Sequence, residues 1–257
     1  MNISIVIPAY NEQQGVTITL DKLRAVMSKL EEEHTVQVVF VDDGSHDDTL
    51  KLLNSACADD KRFIIVPQLI NQGPGAAIRT GFAYAKGDII VTTDFDGTYD
   101  FNNIPLIVEK MINSKVDVIT ASPYHTDGGV EGVPAYRLLF SYVAALLYRL
   151  LVDMKIATWT AFFRAYRRDV ADKVRFESND FLGNTELLVR AIQKGYKVDQ
   201  FPTVLRTRQF GQSSIRIARV TRSHLLFQSR LILESWRNVR TFKLPDDSIQ
   251  AIEENAS

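Results

Sequence analysis

From residue 1 to about residue 120, short apolar, β-branched runs alternate with longer segments whose apolar positions recur every three or four residues. Ile3–Pro8, Val36–Asp42, Phe63–Pro67, Asp88–Asp94 and Val116–Ala121 have the length and composition of strands. Val16–Leu30, Thr49–Ala58, Ala76–Ala85 and Ile104–Ile112 carry helical spacing. Strand and helix in regular alternation predict crossover units, hence an α/β fold with a mostly parallel sheet flanked by helices. Ligands of such sheets bind beyond the carboxyl ends of the strands. The polar clusters fall there: Ala9–Glu12, Asp42–Asp48, Asn71–Gly75 and Asp94–Asp100.

After residue 121 the pattern changes. Asp127-Gly128-Gly129 predicts a turn, and Pro134 opens an apolar helical stretch to Val152. Phe181–Lys194 reads as a helix, Val198–Val204 as a strand and Ile217–Asn238 as a long amphipathic helix. The break marks a change of role inside one unit, residues 1–240, with 1–121 as its first half and 122–240 as its second. Residues 241–257, polar and charged, are expected to form a disordered tail.

Composition narrows the class. With 257 residues, 46% hydrophobic and 24% charged, the chain is long and apolar enough to bury a core without staples. A single cysteine, Cys57, excludes an intrachain disulfide framework or a multi-cysteine zinc site. The longest uncharged apolar stretch, Leu138–Tyr148, falls well short of the roughly 20 residues that cross a bilayer, so no transmembrane segment is expected. The opening MNISIVIPAYNE has neither the basic flank nor the apolar run of a leader, which predicts a cytoplasmic protein. The net charge of −1 conceals an asymmetry: residues 1–136 carry 10 Lys and Arg against 19 Asp and Glu, and residues 137–240 carry 19 against 8. No acidic residue lies between Asp199 and Glu234, where Arg206, Arg208, Arg216, Arg219, Arg222 and Arg230 fall. An anionic partner for the second half, or a solvated basic face, accounts for this equally well.

Asp94 and Asp96 are the sharpest chemical feature. Placed at the end of a strand, Asp-x-Asp points both carboxylates to one side, where they repel unless a cation lies between them. Oxygen ligands suit Mg²⁺ or Mn²⁺, which complete their shell with substrate phosphates. Val39–Ser45 is a buried strand running into acids and a turn glycine; Asp42 is the expected ligand of a ribose hydroxyl or base N–H, and Asp43 the expected helix cap. Asn71–Ala77 fails the dinucleotide pattern because Ile78 stands at the third small position, and the chain has no phosphate-binding P-loop. Its glycines turn the backbone into a helix whose Arg79 either faces the ligand edge or lies on the surface.

Ile7–Glu12, Val41–Ser45, Gly73–Gly81 and Asp94-Phe95-Asp96 together resemble family 2 glycosyltransferases. That resemblance implies a GT-A (Rossmann-like) fold and inverting transfer from a nucleotide-diphosphate sugar. Gly128–Pro134 with Arg137 and Ser141, Phe163–Arg168 and Arg208–Ser213 resemble the polyprenyl-phosphate mannosyltransferase branch. The resemblance implies that Pro8, Tyr10, Glu12 and Asp42 hold the nucleoside, with Asp43, Gly73, Arg79 and Phe95 beside them. It implies that Asp94 and Asp96 bind metal and donor diphosphate, and that Arg137 and Arg208 bind acceptor and donor phosphates, for which a planar guanidinium fork is suited. Glu186 matches an acidic position on the acceptor side and is the candidate base should the acceptor be a hydroxyl. The chain departs from the branch in several places: Thr98 replaces a third polar metal ligand, Pro123 and Ser214 replace basic residues, and Ala161 and Phe162 stand inside the usual Thr-Ser-Gly-Phe-Arg run.

The expected partners are a nucleotide sugar and a lipid phosphate at the cytoplasmic membrane face. The helical stretches Val133–Val152 and Ile217–Trp236 are candidates for lying on that surface, or for core packing or a homodimer face. A soluble hydroxyl acceptor and a catalytically silent membrane-bound subunit are the rival readings. Nucleic acid is not expected, because the basic segment lacks interleaved aromatics.

Overall fold

The computed structural model describes residues 1–210 and 217–240, and in two helices the backbone but not the side chains of residues 135–137, 140, 217, 235 and 237–240. Ser214 and the tail 241–257 lie outside the described residues, as does the Arg137 side chain. The first half follows the predicted alternation: β1 (Asn2–Ala9), α1 (Val16–Leu30), β2 (Thr35–Asp42), α2 (Thr49–Cys57), β3 (Phe63–Pro67), α3 (Pro74–Tyr84), β4 (Ile89–Thr92), α4 (Asn103–Asn113) and β5 (Val118–Ser122). Then come β6 (Gly129–Glu131), α5 (Ala135–Leu151), β7 (Arg164–Arg167), α6 (Arg168–Lys173), α7 (Leu182–Gln193), β8 (Val198–Pro202), β9 (Val204–Arg206) and α8 (Ile217–Arg240).

Seven strands form one sheet in the order β3-β2-β1-β4-β7-β5-β8. Only β7 runs antiparallel to its neighbours. Both faces are buried, which is why the early strands are continuous apolar runs. Period-two alternation sends Ile3, Ile5, Ile7 and Phe40 into one core with α1 and α4, and Val6, Val39 and Val41 into the other with α3 and α7. Helix α1 buries Val16, Leu20, Leu23, Met27 and Leu30 at helical spacing.

Sequence reasoning missed β7, β6 and α6. Arginines at 164 and 167 interrupt the apolar signal of β7 and Arg168 opens α6, yet each has partners inside the fold. Arg164 is fully buried and donates to Thr120 Oγ1 (3.0 Å), to the Asn184 carbonyl and to the Trp159 carbonyl. Arg167 donates to the carbonyls of Met111 (2.9 Å) and Ser114 (2.8 Å) at the end of α4, and Arg168 to that of Ala85 (2.7 Å) at the end of α3. Guanidinium groups thus satisfy the orphan carbonyls of two helix C-termini. The predicted single strand Val198–Val204 is two strands. Its first part pairs with β5, and past Pro202 the chain leaves the main sheet so that β9 pairs with β6.

Helices α5 and α8 pack against each other through an aromatic cluster. Tyr148 stacks on Trp159 with centroids 5.4 Å apart, and its hydroxyl lies 2.9 Å from Nδ1 of the buried His224. Burial pushes the His224 pKa down from 6.5 to about 4, with Asp180 opposing weakly. The unfolded chain therefore binds a proton below pH 6.5 that the folded chain refuses until about pH 4. Folding stability is expected to fall by about 3 kcal/mol as pH drops through that window. Urea melts at pH 7.5 and 4.5 check this, and His224→Phe is expected to flatten the pH dependence.

Candidate active site

The loops at the carboxyl ends of β1 to β4 are tied to one another. Asn11, in the left-handed region at φ +55°, accepts from the His46 N–H (2.8 Å) and donates its own N–H to Ser45 Oγ (2.9 Å). The Glu12 N–H donates to Thr49 Oγ1 at 2.8 Å. Asp43 accepts the Gln72 and Gly73 N–H groups, each at 2.8 Å, so it fastens the loop after β3 instead of capping α2. Gly73 has φ +101°, which a side chain would strain, and a Cβ on Gly75 would meet the Ser178 carbonyl at 2.3 Å. Both glycines seat this loop on the segment before α7.

These loops and the strand β9 surround a cleft of about 880 Å³. It is lined by nine of the predicted residues: Pro8, Tyr10, Glu12, Asp43, Gly73, Asp94, Phe95, Asp96 and Arg208. Strand β4 ends at Thr92, so Asp94 and Asp96 converge through a turn with Gly97 at φ +73°, not through strand alternation. Past β9 the chain runs beside this turn. Arg206 N–H donates to the Thr98 carbonyl and Gln209 N–H to the Asp96 carbonyl, both at 3.0 Å. That register delivers Arg208, whose Nε and NH2 reach Asp96 Oδ2 at 3.0 and 2.9 Å while NH2 also reaches Glu12 Oε1 at 2.8 Å.

Thr98 donates its N–H (3.0 Å) and hydroxyl (2.5 Å) to Asp96 Oδ1, so it braces the aspartate where a third ligand was expected. Asp96 is therefore held on both oxygens. Asp94 accepts no side-chain hydrogen bond among the described residues; burial first, then the neighbouring Asp96, raise its pKa, with Arg208 opposing. Glu12 is pushed up to about 7 by burial, with Arg208 opposing and Asp96 adding, and its Oε2 is buried without a partner. An uncompensated carboxylate beside a braced one, in a cleft with room for phosphates, fits a hard divalent cation that takes its remaining ligands from substrate and water. The described residues contain no cluster of three or more His, Cys, Asp or Glu that would cage an ion alone.

Three predicted residues do not line the cleft. Asp42 is buried at the end of β2, where one oxygen accepts the Ser45 N–H (3.2 Å) and Oδ1 has no partner. Arg79 donates to the Ser178 carbonyl (3.1 Å) and to Asn179, so it is a strut for the segment before α7. Glu186 accepts the Ser178 N–H at 2.8 Å and the Glu177 N–H at 3.2 Å, so its carboxylate holds the same segment. The acid in the cleft wall there is Asp180, which precedes α7 and accepts the Leu182 N–H (3.0 Å) and the Ser223 hydroxyl (2.7 Å). Its place two residues before the helix, in Ser178-Asn179-Asp180, was the signal that could have found it. Tyr124, Ser141, Arg206 and Arg219 also line the cleft.

A doubly covered α/β sheet whose strand ends carry paired carboxylates and a bridging arginine places a candidate divalent-cation site at the edge where ligands of such folds bind. The sequence profile of "Glycosyl transferase family 2" matches residues 4–175, and the chain belongs to that family. It is therefore a glycosyltransferase. It is 29% identical over 218 residues to polyprenol monophosphomannose synthase of Mycolicibacterium smegmatis, covering 82% of this chain and 80% of the relative. It is 25% identical over 221 residues to undecaprenyl-phosphate mannosyltransferase of Micrococcus luteus, covering 84% and 88%. Among solved structures, glucosyl-3-phosphoglycerate synthase from Mycobacterium tuberculosis, in complex with Mn²⁺, uridine diphosphate and glucosyl-3-phosphoglycerate, matches with a TM-score of 0.65 at 18% identity. That match covers 88% of this chain and 79% of the other, and it shows the shared fold.

Proposed function

We propose that the protein transfers a hexose, with inversion, from a nucleotide-diphosphate sugar such as GDP-mannose to a polyprenyl phosphate. The observation that carries this reading is the cluster Asp94, Asp96, Arg208 and Glu12 on the cleft wall, in a chain related to two mannosyltransferases of polyprenyl phosphates. Pro8, Tyr10 and Asp43 form the nucleoside end, with the free oxygen of Asp42 behind them. Asp94 and Asp96 would hold Mg²⁺ or Mn²⁺, which supplies neutralisation of the charge that develops on the departing nucleoside diphosphate.

Arg208 orients phosphate oxygens through its remaining N–H groups while Asp96 and Glu12 fix its plane. The acceptor phosphate is already ionised, so an oxygen attacks the anomeric carbon as the sugar–diphosphate bond breaks, and no proton has to be removed. This agrees with the absence of Glu186 from the cleft lining. Arg137, on the first turn of α5, is retained as an acceptor-phosphate candidate from the family resemblance.

No helix among the described residues is long and apolar enough to cross a membrane. Helix α5 exposes Leu139, Tyr142, Val143, Leu146 and Leu150, and α8 exposes Leu225, Leu226, Leu233 and Trp236. These two faces support peripheral attachment to a bilayer beside the cleft. Pro123, in place of a basic residue, favours instead a soluble hydroxyl acceptor.

Incubation with Mg²⁺ or Mn²⁺, polyprenyl phosphate and a panel of GDP- and UDP-sugars, read by mass spectrometry, tests the proposal. A glycosyl-phosphate lipid from one donor is expected. Nucleoside diphosphate release without lipid product would overturn the lipid acceptor, and silence with every donor would overturn the catalytic reading.

A further inference from the structure

Among the described side chains three arginines line the cleft, and two are already committed. Arg208 lies between Glu12 and Asp96. Arg206 reaches Glu131 at 2.9 Å and Asp100 at 3.8 Å. Arg219, on the first turns of α8, is exposed to the cleft, and no carboxylate among the described residues lies within ion-pair distance of it. The wall also carries Asp180, which has no cationic partner among the described residues, so an anionic acceptor near α8 is favoured by an uncommitted cation. Among the described side chains Arg219 is that cation.

Its orientation is built in. Residues four apart share a helix face, and Ser223, one turn beyond Arg219, donates to Asp180 in the cleft wall at 2.7 Å. The buried His224–Tyr148 contact holds the same stretch of α8 against α5. Val220 on α8 and Leu138 on α5 line the cleft beside Arg219. Further along the same two helices, exposed apolar side chains include Tyr142 and Leu146 on α5 and Leu225 on α8, with Arg222 exposed among them.

We infer that Arg219 binds the phosphate of the acceptor where the cleft opens onto the apolar face of α5 and α8, so that the phosphate lies inside and a hydrocarbon tail leads outward. This rests on the reading of a phosphate acceptor given above and adds a residue to it. A guanidinium suits the role because it stays charged and donates two parallel hydrogen bonds to phosphate oxygens.

Calorimetric titration of the full chain in Mg²⁺ with farnesyl phosphate, glycerol 3-phosphate and farnesol separates the possibilities. Wild type is expected to bind farnesyl phosphate more tightly than glycerol 3-phosphate. Arg219→Gln is expected to weaken farnesyl phosphate by about ten- to hundredfold, the loss of charge-assisted hydrogen bonds. Arg219→Lys is expected to recover part of that loss, and farnesol binding is expected to be the same in all three proteins. Arg219 is exposed, and matching thermal melts verify that the variants fold.

Undiminished binding of farnesyl phosphate by Arg219→Gln overturns the inference and leaves the lipid reading standing. Equal wild-type affinity for farnesyl phosphate and glycerol 3-phosphate, both weakened by Arg219→Gln, supports the phosphate contact and overturns the lipid tail. If wild type binds neither phosphate, both readings fall.

Discussion

Asp94→Asn is expected to lower kcat for sugar transfer by about a thousandfold while leaving the melting temperature unchanged or slightly higher. The two effects have separate origins. The Asp94 charge costs the folded chain more than it returns: among the described residues the carboxylate accepts no side-chain hydrogen bond, and burial and Asp96 disfavour its ionised form against the attraction of Arg208. A neutral isostere removes that cost. Catalysis, by contrast, is proposed to need the charge to hold a divalent cation against the leaving diphosphate, a contribution of several kcal/mol at roughly 1.4 kcal/mol per tenfold in rate. Turnover, thermal melting and Mn²⁺ titration of the same preparation separate stability from chemistry. Turnover within threefold of wild type would remove Asp94 from the metal site.

Arg208→Met is expected to show the opposite coupling, losing activity and stability together. Its guanidinium joins Asp96 from the turn after β4 to Glu12 from the loop after β1. Without it two partly buried carboxylates face each other unpaired, at a cost of about 3 kcal/mol. Transfer is expected to fall about a hundredfold or more, the scale found for removing one preorganised donor. Mn²⁺ is expected to restore more of the melting temperature in this variant than it adds to wild type, because a bound cation replaces part of the missing charge. Arg208→Lys keeps the charge without the fork that spans both acids, so it is expected to recover stability better than turnover. Equal kcat/KM in Arg208→Met and wild type would exclude this residue from the reaction.

The local signals in the first half were strong because each strand is buried on both faces and each helix on one. Apolar runs and helical spacing therefore located β1, β2, β3 and α1 to within a residue or two at each end. The second half was harder to read because its polar residues are used inside the fold. Arg164 lies in a cage of carbonyl and hydroxyl oxygens, and Arg167 and Arg168 close helix ends. Part of the basic excess that suggested an anionic partner is therefore structural.

The same limit applied at the site. The position of Asp94, Asp96 and the strand-end clusters at one edge of the sheet was legible, because loops that follow parallel strands converge there. The roles of Glu12, Glu186 and Arg79 were not legible, since a charged residue in a sequence carries no record of what it touches.

The sequence by itself determined which segments become strands and helices, which edge of the sheet carries the polar loops, and the family. Those properties depend on residue order over a few positions, where periodicity and turn chemistry act. The tertiary structure alone decided that Arg208 spans Glu12 and Asp96 from 196 and 112 residues away. It also turned Glu186 and Arg79 into struts for the segment before α7, and it left Arg219 facing the cleft without a carboxylate partner among the described residues. Charge pairing acts over a few ångströms in space, and only the folded sheet brings those distant loops that close.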